Sequence, residues 1–449
     1  MPPKPLRART APPSSRTTTV RAGTATGERV RLSVYDLVNG TFATPRVFFH
    51  RHRLDAAALR DSLAATLPHF PLLTGRLVRD PDGGLSVRCD DSGIPFTESH
   101  SDRPMPDYGP DHPARPDLNG YLHRANAFRV VDHDTPLLTV RVTHMRDGGS
   151  VLGIAINHGI ADGASHLAFL QHWQRVHAGQ EPPAPVPYTR DPFNTLRAPA
   201  GEPRSTQYTV VPGRQKFRFV WRVNAGARSL RTVTLRFTAD EIAALKDHAR
   251  TGGSPRISSG DALTAHVWRV LAALRGRPAA APERLGVVVG LRQVLRDHLP
   301  GGYWGNGITN VTAQLPAGRL REAPLPEVAA TIRESLSALT EARIREEAAW
   351  LDVQRRARRM PRVLSRMALD SFDTLIGVNN VGRLPVYELD FGAGPAFWFG
   401  FPGNPIPWSL LITPTPAGDA GRDIHIGLPK DYAQALRTPE YTKRLHAYG

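Results

Sequence analysis

The segment of the chain with the most evident chemistry is residues 151–165, VLGIAINHGIADGAS. Its first six residues are apolar and rich in β-branched side chains, which predicts a strand buried on both faces. His158 follows near the end of that strand, and Asp162 comes four residues later, beside Gly163. A histidine with an ordinary pKa near 6.5 is largely neutral at cytoplasmic pH and can take a proton. The segment therefore predicts a general base at a strand end.

The spacing leaves two roles open for Asp162. On a helical turn, the carboxylate shares a face with His158. In a tight turn, it points into the protein and pairs with an arginine that holds the loop. The small neighbouring residues favour the second role. A buried histidine beside a capping aspartate, with no catalytic role, is the alternative that this motif alone does not exclude.

Length and composition restrict the class of protein. The chain has 449 residues, of which 41% are hydrophobic, so we expect two large domains or one elaborate domain with a well-filled core. No run approaches the roughly 18 apolar residues that span a membrane. A single cysteine, Cys89, excludes an internal disulfide framework and indicates a reducing, cytoplasmic location. The 17 histidines show no metal-binding spacing, and we expect no metal.

The formal net charge of +16 raises the question of an anionic partner. Five of the basic residues lie in residues 1–27, which contain no acidic residue, and we expect residues 1–28 to form a disordered basic tail. The remaining basic residues are dispersed, and no basic helix with interleaved aromatic residues is evident. We therefore expect neither a nucleic acid nor a membrane as partner. A diffuse positive field suits a phosphate-bearing acyl donor such as coenzyme A.

The order of helical and strand patterns predicts a mixed α/β chain. Residues 29–178 alternate strands with helices, one of them capped by Asp55, and are predicted to form an N-terminal domain. Residues 179–227 gather prolines and are predicted to form a crossover linker. Residues 228–449 are predicted to form a C-terminal domain, with late strands around Leu375, Val386 and Ile424.

Several separate stretches together resemble one family. Residues 158–163, HGIADG, match the H-x-x-x-D-G motif of the BAHD acyltransferases, and residues 390–394, DFGAG, resemble their D-F-G-W-G motif. Between these motifs, residues 302–306, GYWGN, are similar to the family's G-Y-F-G-N, and residues 259–268 resemble a helix with a D-x-L-x-A-x-x-W core. The resemblance covers most of residues 30–430 in collinear order.

The resemblance implies a fold and an activity. It implies two similar chloramphenicol-acetyltransferase-like domains, each a mixed sheet flanked by helices, with a channel between them. It implies transfer of an acyl group from acyl-CoA to a hydroxyl or amine of a specialised metabolite. Acyl-CoA is then a co-substrate, no cofactor is permanently bound, and the protein acts as a monomer.

The resemblance also implies roles for individual residues. His158 is the general base, and Asp162 points away from it towards Arg292. The D-F-G motif is structural, so Asp390 and Gly392 shape the channel. We expect the same structural role for Trp304 and Asn306 of the GYWGN stretch.

The chain departs from the family pattern where the oxyanion is stabilised. Residues 379–381, Asn-Asn-Val, replace the usual Thr-Ser-Trp, so Asn379 or Asn380 is the candidate donor to the oxyanion or to the acceptor. The tryptophan of the second motif is replaced by Ala393, and Trp398 is the nearby candidate to fill its space. These changes leave open a repurposed enzyme that cyclises or condenses a bound or carrier-protein-linked metabolite without coenzyme A.

Overall fold

The strands of the molecule are seen in a computed structural model that describes residues 15–40, 42–106, 118–123, 129–181, 186–196, 201–251, 256–402 and 406–448. In these residues the strands are β1 (Ser15–Val20), β2 (Arg29–Arg31), β3 (Ala43–His50), β4 (Arg76–Arg79), β5 (Leu85–Arg88), β6 (Ile94–Ser101), β7 (Leu138–Met145), β8 (Ser150–Asn157), β9 (Tyr208–Val210), β10 (Arg231–Phe237), β11 (Pro282–Gly290), β12 (Ile308–Pro316), β13 (Val363–Ser365), β14 (Leu375–Asn380), β15 (Trp398–Gly400), β16 (Ser409–Pro414) and β17 (Arg422–Leu428).

The helices flank these strands. They are α1 (Val34–Asn39), α2 (Ala56–Thr66), α3 (Pro71–Thr74), α4 (Gly163–His177), α5 (Asp191–Asn194), α6 (Gly213–Ser229), α7 (Ala239–Ala249), α8 (Ser259–Arg275), α9 (Ala317–Glu322), α10 (Leu325–Ser337), α11 (Glu341–Arg356), α12 (Arg366–Asp370), α13 (Lys430–Ala435) and α14 (Pro439–Leu445). None of these helices combines the length and the apolar character that crossing a bilayer requires. Asp55 caps α2 as predicted, and Thr238 and Ser258 form capping boxes at α7 and α8.

Two mixed six-stranded sheets organise the fold. The first has the order β1-β6-β7-β8-β3-β15, and the second has the order β10-β17-β16-β14-β11-β12. Most neighbours are antiparallel, while β6 and β7, β11 and β14, and β14 and β16 run parallel. The remaining strands form two smaller sheets, with the orders β2-β5-β4 and β13-β9. The mixed α/β class expected from the sequence is therefore confirmed.

Strand β8 carries the predicted base towards the centre of the molecule. Every residue of β8 is buried, as the sequence predicted for a strand covered on both faces. Its side chains Leu152, Ile154 and Ile156 are fully buried in the core of the first sheet. Helix α4 follows β8 after a five-residue turn and covers the same core with Phe169 and Trp173. The turn between a buried strand and a packed helix is thus held at both ends.

The expectation of a disordered tail over residues 1–28 is wrong for its second half. Residues 15–20 form β1, which pairs antiparallel with β6 from Ser15↔Ser99 to Val20↔Ile94. Val20 is buried, and the hydroxyl of Thr17 hydrogen-bonds to that of Thr97 at 2.9 Å. The pairing joins residues far apart in sequence, so composition alone gave no sign of it. Residues 1–14 lie outside the described residues.

The crossover segment contains a helix that the sequence analysis missed. Helix α6 lies mostly within residues 179–227, where we expected a linker, and it is a basic helix with interleaved aromatic residues, a feature we judged absent. Phe217 and Trp221 are 74% and 64% exposed. The prolines of residues 179–227 led to the expectation of a linker. The more covered apolar residues of this helix are only partly buried: Phe219, Val220 and Val223.

Two C-terminal segments also differ from expectation. The strand expected around Val386 is a short 3₁₀ turn, Val386–Glu388, which follows Pro385 in a chain segment that turns sharply. Strand β15 crosses to the first sheet and pairs antiparallel with β3, with Phe399 opposite Phe48. The domain limits 29–178, 179–227 and 228–449 stay predictions.

Candidate active site

His158 lies directly after β8, and its backbone is fixed on both sides. Its N–H donates to the carbonyl of Phe42 at 2.8 Å, extending the pairing of β3 with β8. Its carbonyl accepts a hydrogen bond of 2.7 Å from Nδ2 of Asn306. Two distant segments of the chain therefore fix the place from which the imidazole projects.

The ring of His158 is held in an apolar setting. It meets the ring of Phe42 edge to face, with centroids 5.2 Å apart, and its Nδ1 is buried without a hydrogen-bond partner in the described part of the chain. Burial lowers the pKa of His158 from its ordinary value; Arg46 adds to the shift, and Asp162 opposes it. A lowered pKa keeps the imidazole neutral, which is the form that a general base requires.

Asp162 points away from the histidine and into the protein. Its two carboxylate oxygens accept hydrogen bonds from Nη1 and Nη2 of Arg292 at 2.7 and 3.1 Å. The same carboxylate accepts from the N–H of Ser165 at 2.9 Å, as the N-cap of α4, and from the N–H of Gly307 at 3.0 Å. Burial alone raises the pKa of Asp162, but Arg292 and these N–H groups more than offset it, and the pKa is lowered. Asp162 is therefore held as a carboxylate that orders the turn.

Gly163 opens α4 immediately after this cap. A Cβ at Gly163 would lie 3.6 Å from Nη2 of Arg46 and 4.0 Å from Cγ1 of Val381. The motif glycine therefore sits where an arginine of β3 and the end of β14 approach the turn that follows His158.

The GYWGN stretch packs against the start of α4. Trp304 is fully buried and donates from Nε1 to the carbonyl of Ser165 at 2.8 Å. The hydroxyl of Ser165 bonds to both the carbonyl and the N–H of Gly305, at 2.8 and 2.9 Å. Asn306 is fully buried and reaches the carbonyl of His158, as described above. Trp304 and Asn306 thus position the turn that carries the base.

A buried ion pair between Asp36 and Arg190, which was not predicted from the sequence, links the turn after His158 to the GYWGN stretch. The carboxylate of Asp36 accepts from Nε of Arg190 at 2.9 Å, and both side chains are completely buried. Arg190 also donates to the carbonyl of Ile160 at 2.8 Å and to that of Trp304 at 2.7 Å. Asp36 accepts in addition from Nδ2 of Asn306 at 2.9 Å. The S-x-x-D capping pattern of residues 33–36 signals helix α1, but nothing local signals this pairing.

Arg46 is a second missed residue of the site. It lies in β3, is 6% exposed, and makes its hydrogen bonds through Nη1, to the carbonyl of Thr44 at 3.4 Å and to Nδ1 of His166. Burial lowers the pKa of Arg46 to about 9, against the attraction of Asp162. A basic residue inside an apolar strand pattern was the available signal, and the sequence analysis did not use it.

The two candidate oxyanion donors lie at the end of β14. Asn379 and Asn380 are both exposed. Oδ1 of Asn380 accepts from the N–H of Gly382 at 3.0 Å, while its Nδ2 lies 3.1 Å from the position that a Cβ would take on Gly260. The segment approaches the catalytic turn through the next residue, Val381, and the described contacts join neither asparagine directly to His158.

The DFGAG loop packs at the far end of α4. The N–H of Gly392, where φ is +81°, donates to Oδ1 of Asp390 at 2.8 Å. The carbonyl of Phe391 hydrogen-bonds to Nε2 of His177 at 3.0 Å, and its ring lies 4.9 Å from that of Trp173. The contacts of this loop are thus with the scaffold of the first sheet.

Trp398 does not pack where a tryptophan at Ala393 would be. Its ring lies 5.2 Å from that of Phe49, and it covers Gly400, where an added Cβ would overlap it. Ala393 itself is buried in the core of the first sheet, whereas Trp398 borders a different apolar cluster around Phe49.

Comparisons with known proteins agree with this arrangement. The family described as "Transferase family" matches residues 14–439. The chain is 26% identical over 416 residues to shikimate O-hydroxycinnamoyltransferase of Nicotiana tabacum, which covers 90% of this chain and 93% of that protein. It is 28% identical over 434 residues to hydroxycinnamoyl-CoA:5-hydroxyanthranilate N-hydroxycinnamoyltransferase HHT4 of Avena sativa, covering 91% of this chain and 94% of that protein.

Solved structures share the fold. Vinorine synthase aligns over 96% of this chain and 98% of its own with a TM-score of 0.71 at 19% identity. TRI101 of F. sporotrichioides, complexed with coenzyme A and T-2, aligns over 93% and 98% with a TM-score of 0.73 at 15% identity.

The family match across nearly the whole chain defines the class of protein. The chain belongs to the transferase family. Within that family it is a BAHD acyltransferase, with the two-domain, chloramphenicol-acetyltransferase-like fold that the resemblance implied. The predictions of family and fold are therefore confirmed.

Proposed function

We propose that the protein transfers an acyl group from an acyl-CoA to a hydroxyl or amine of a small specialised metabolite, with His158 as the general base. The observation that carries this proposal is the placement of His158, at the end of a buried strand with its backbone fixed by Phe42 and Asn306. Its lowered pKa leaves the ring neutral. The Nicotiana and Avena relatives, whose names specify an O- and an N-transferase, support both acceptor chemistries.

The chemical step follows from the neutral imidazole. His158 takes the proton from the acceptor O–H or N–H as the oxygen or nitrogen bonds to the thioester carbonyl carbon. The resulting tetrahedral oxyanion collapses, the carbon–sulfur bond breaks, and the thiolate of coenzyme A takes the proton from His158. The step needs no covalent enzyme intermediate, and the proton and the acyl group are both accounted for.

Asp162 and Arg292 act in this proposal by holding the turn. Each carboxylate oxygen of Asp162 accepts one hydrogen bond from Arg292. Each also accepts one from a backbone N–H, of Gly307 or of Ser165. Because the carboxylate points away from the imidazole, it does not receive the acceptor's proton.

We propose that Asn380 donates to the oxyanion and that Asn379 is the alternate donor. The Nδ2 group of Asn380 makes no hydrogen bond to any residue in the described ranges, and the chain brings the neighbouring Val381 to Gly163. A pre-placed N–H donor near the developing charge lowers the barrier for acyl transfer. Asp390 and Gly392 are proposed to shape the channel between the two domains from a distance.

We further propose that the protein works as a cytoplasmic monomer on diffusible acyl-CoA. Its single cysteine, Cys89, is buried, and burial raises the pKa of its thiol to about 12, so it is not a reactive thiol. Equilibrium sedimentation tests the monomer; a concentration-independent dimer mass contradicts it.

A carrier protein as acyl donor is the alternative to free acyl-CoA, and transfer from free acyl-CoA distinguishes the two donors.

The test of the function is acceptor-dependent thiol release from acyl-CoA. Acetyl-, octanoyl- and p-coumaroyl-CoA are each incubated with shikimate, 5-hydroxyanthranilate or an alcohol and amine mixture, and the free thiol and acylated product are quantified. We expect thiol release only when donor and acceptor are both present. Absence of release and of measurable donor binding across the panel contradicts acyl transfer and leaves the coenzyme A-independent, repurposed enzyme.

A further inference from the structure

Arg46 is a buried cation that forms no ion pair with any carboxylate of the described residues. It lies in β3, opposite Ile154 of β8, and is 6% exposed. Across the described ranges, no carboxylate lies within ion-pair distance of its guanidinium, and only Nη1 makes hydrogen bonds. A buried charge without a counterion is costly, and a bound anion would offset that cost.

The carboxylates nearest to the site are already committed. Asp162 is held by Arg292, and Asp36 is held by Arg190. Three arginines therefore face two carboxylates around the catalytic turn, which leaves one positive charge in excess at Arg46. This excess also acts on the base, because Arg46 lowers the pKa of His158.

The free edge of the guanidinium faces the catalytic turn. Nη2 of Arg46 makes no hydrogen bond within the described residues and lies 3.6 Å from the position of a Cβ on Gly163. The position is open because residue 163 has no side chain. The guanidinium carbon also lies over the ring of Phe401, 5.6 Å from its centroid. An anion bound at Nη2 and Nε would thus lie beside Gly163, the residue that starts α4, and Arg46 is near enough to His158 to influence its pKa.

We propose that Arg46 binds a carboxylate of the acyl acceptor, so that the acceptors are hydroxy acids or amino acids. This inference rests on the proposed function, since it assigns the substrate class of the same site. A planar guanidinium offers two parallel N–H donors to a carboxylate, which fixes orientation as well as position. The acceptor's carboxylate takes no part in the chemistry; it neutralises Arg46 while the hydroxyl or amine gives its proton to His158.

The pairing makes the site selective against neutral acceptors. A carboxamide or ester in the same place leaves the guanidinium without a counterion, and sites built around a polar partner reject analogues that lack it strongly. We expect wild-type kcat/KM for the acid to exceed that for its primary amide by about 10²–10³-fold. This ratio is below the largest ratios known for sites that reject an analogue lacking one polar group.

The experiment compares acids with their amides in three forms of the enzyme. The acceptors are 3-hydroxybenzoate and 3-hydroxybenzamide, 3-aminobenzoate and 3-aminobenzamide, and shikimate and its methyl ester. The variants are Arg46→Met and Arg46→Lys, with Arg53→Met as the matched control, since Arg53 is exposed beyond the end of β3. We expect Arg46→Met to remove the preference for the acid, Arg46→Lys to restore part of it, and Arg53→Met to leave it unchanged.

Three results overturn the proposal. Equal use of acid and amide by the wild type shows that no carboxylate is recognised. An equal fall in kcat for both acceptors in Arg46→Met assigns Arg46 to the oxyanion. A rise in KM for acyl-CoA alone assigns it to an anionic group of the donor.

A binding measurement separates this inference from the proposed function. Calorimetry of 3-hydroxybenzoate and 3-hydroxybenzamide with the wild type and Arg46→Lys needs no turnover. If no donor and acceptor pair reacts but the acid still binds in an Arg46-dependent manner, the acyl-transfer function fails and the carboxylate site stands. If the wild type binds neither or both equally, the carboxylate site fails, whatever the turnover. Arg46→Lys keeps the test valid where Arg46→Met does not fold.

Discussion

Arg292 holds the carboxylate of Asp162 with two hydrogen bonds of 2.7 and 3.1 Å, although 130 residues separate the two in the chain. Asp162 caps α4, and Arg292 follows β11 at the start of a loop that returns to Gly307. The pair therefore ties the turn carrying His158 to the second sheet. Its strength determines how firmly the base is positioned.

Replacing Asp162 by asparagine should weaken the fold as well as the reaction. The change keeps an N-cap but leaves Arg292, whose side chain is 27% exposed, without its counterion. Loss of these charge-assisted hydrogen bonds should cost about 1.5–3 kcal/mol. Denaturant unfolding measures the loss, and turnover should fall with it. Glu327→Gln is the control, because the Arg319–Glu327 pair is exposed and its loss should leave the unfolding curve nearly unchanged. An unchanged unfolding curve for Asp162→Asn contradicts the structural role of the pair.

The Asp36 and Arg190 pair should behave as one energetic unit. Arg190→Met and Asp36→Asn each leave a buried charge unpaired, and each should lower the free energy of unfolding by about 3–5 kcal/mol. The double variant should lose clearly less than the sum of the two, since the second change removes the charge stranded by the first. Unfolding of all three variants in urea measures the coupling. Strictly additive losses would show that the two residues stabilise the loops independently.

How far sequence predicts this fold depends on whether the signal is local. The strand before His158 and the cap at Asp55 are each encoded within a few residues, and both were predicted. Strand β1 was not, since its partner β6 lies some 80 residues away, and Thr17 meets Thr97 only in the folded sheet.

The candidate site divides in the same way. His158, Asp162 and Arg292 follow from motifs, and the motif resemblance also gave the direction in which Asp162 points. Arg46 and Arg190 have no motif, because their meaning depends on which carboxylates surround them after folding. Arg190 has a buried carboxylate partner, whereas Arg46 has none among the residues that the structure describes, and the sequence alone does not show this difference.

The pH dependence of turnover should follow the lowered pKa of His158. A base with a lowered pKa stays deprotonated to a lower pH, so the acidic inflection of kcat/KM should lie below the ordinary histidine value of 6.5. Because Arg46 contributes to the lowering, Arg46→Met should move the acidic inflection to higher pH. Initial rates with a saturating donor across pH 4.5–8 measure both. An acidic inflection above the ordinary value of 6.5 in the wild type is the opposite of what this burial predicts.

The oxyanion assignment distinguishes the two asparagines of β14. Asn380→Ala should lower kcat about 10²–10³-fold, as removal of one oxyanion donor does, with little change in KM. Its melting temperature should stay close to that of the wild type, because the side chain is exposed. Asn379→Ala is the neighbouring control and should retain most of its activity. A larger loss in Asn379→Ala transfers the role to that residue, and full activity in both variants removes the role from this strand.

The central measurement is product formation by His158→Ala. The variant keeps the backbone that Phe42 and Asn306 fix, so it should fold like the wild type, and His52→Ala, a change at an exposed histidine, is the matched control. With a donor and acceptor that the wild type uses, acylated product from His158→Ala should fall at least about 100-fold, while His52→Ala stays at wild-type rate. Wild-type turnover in a folded His158→Ala enzyme would contradict general-base catalysis by this histidine.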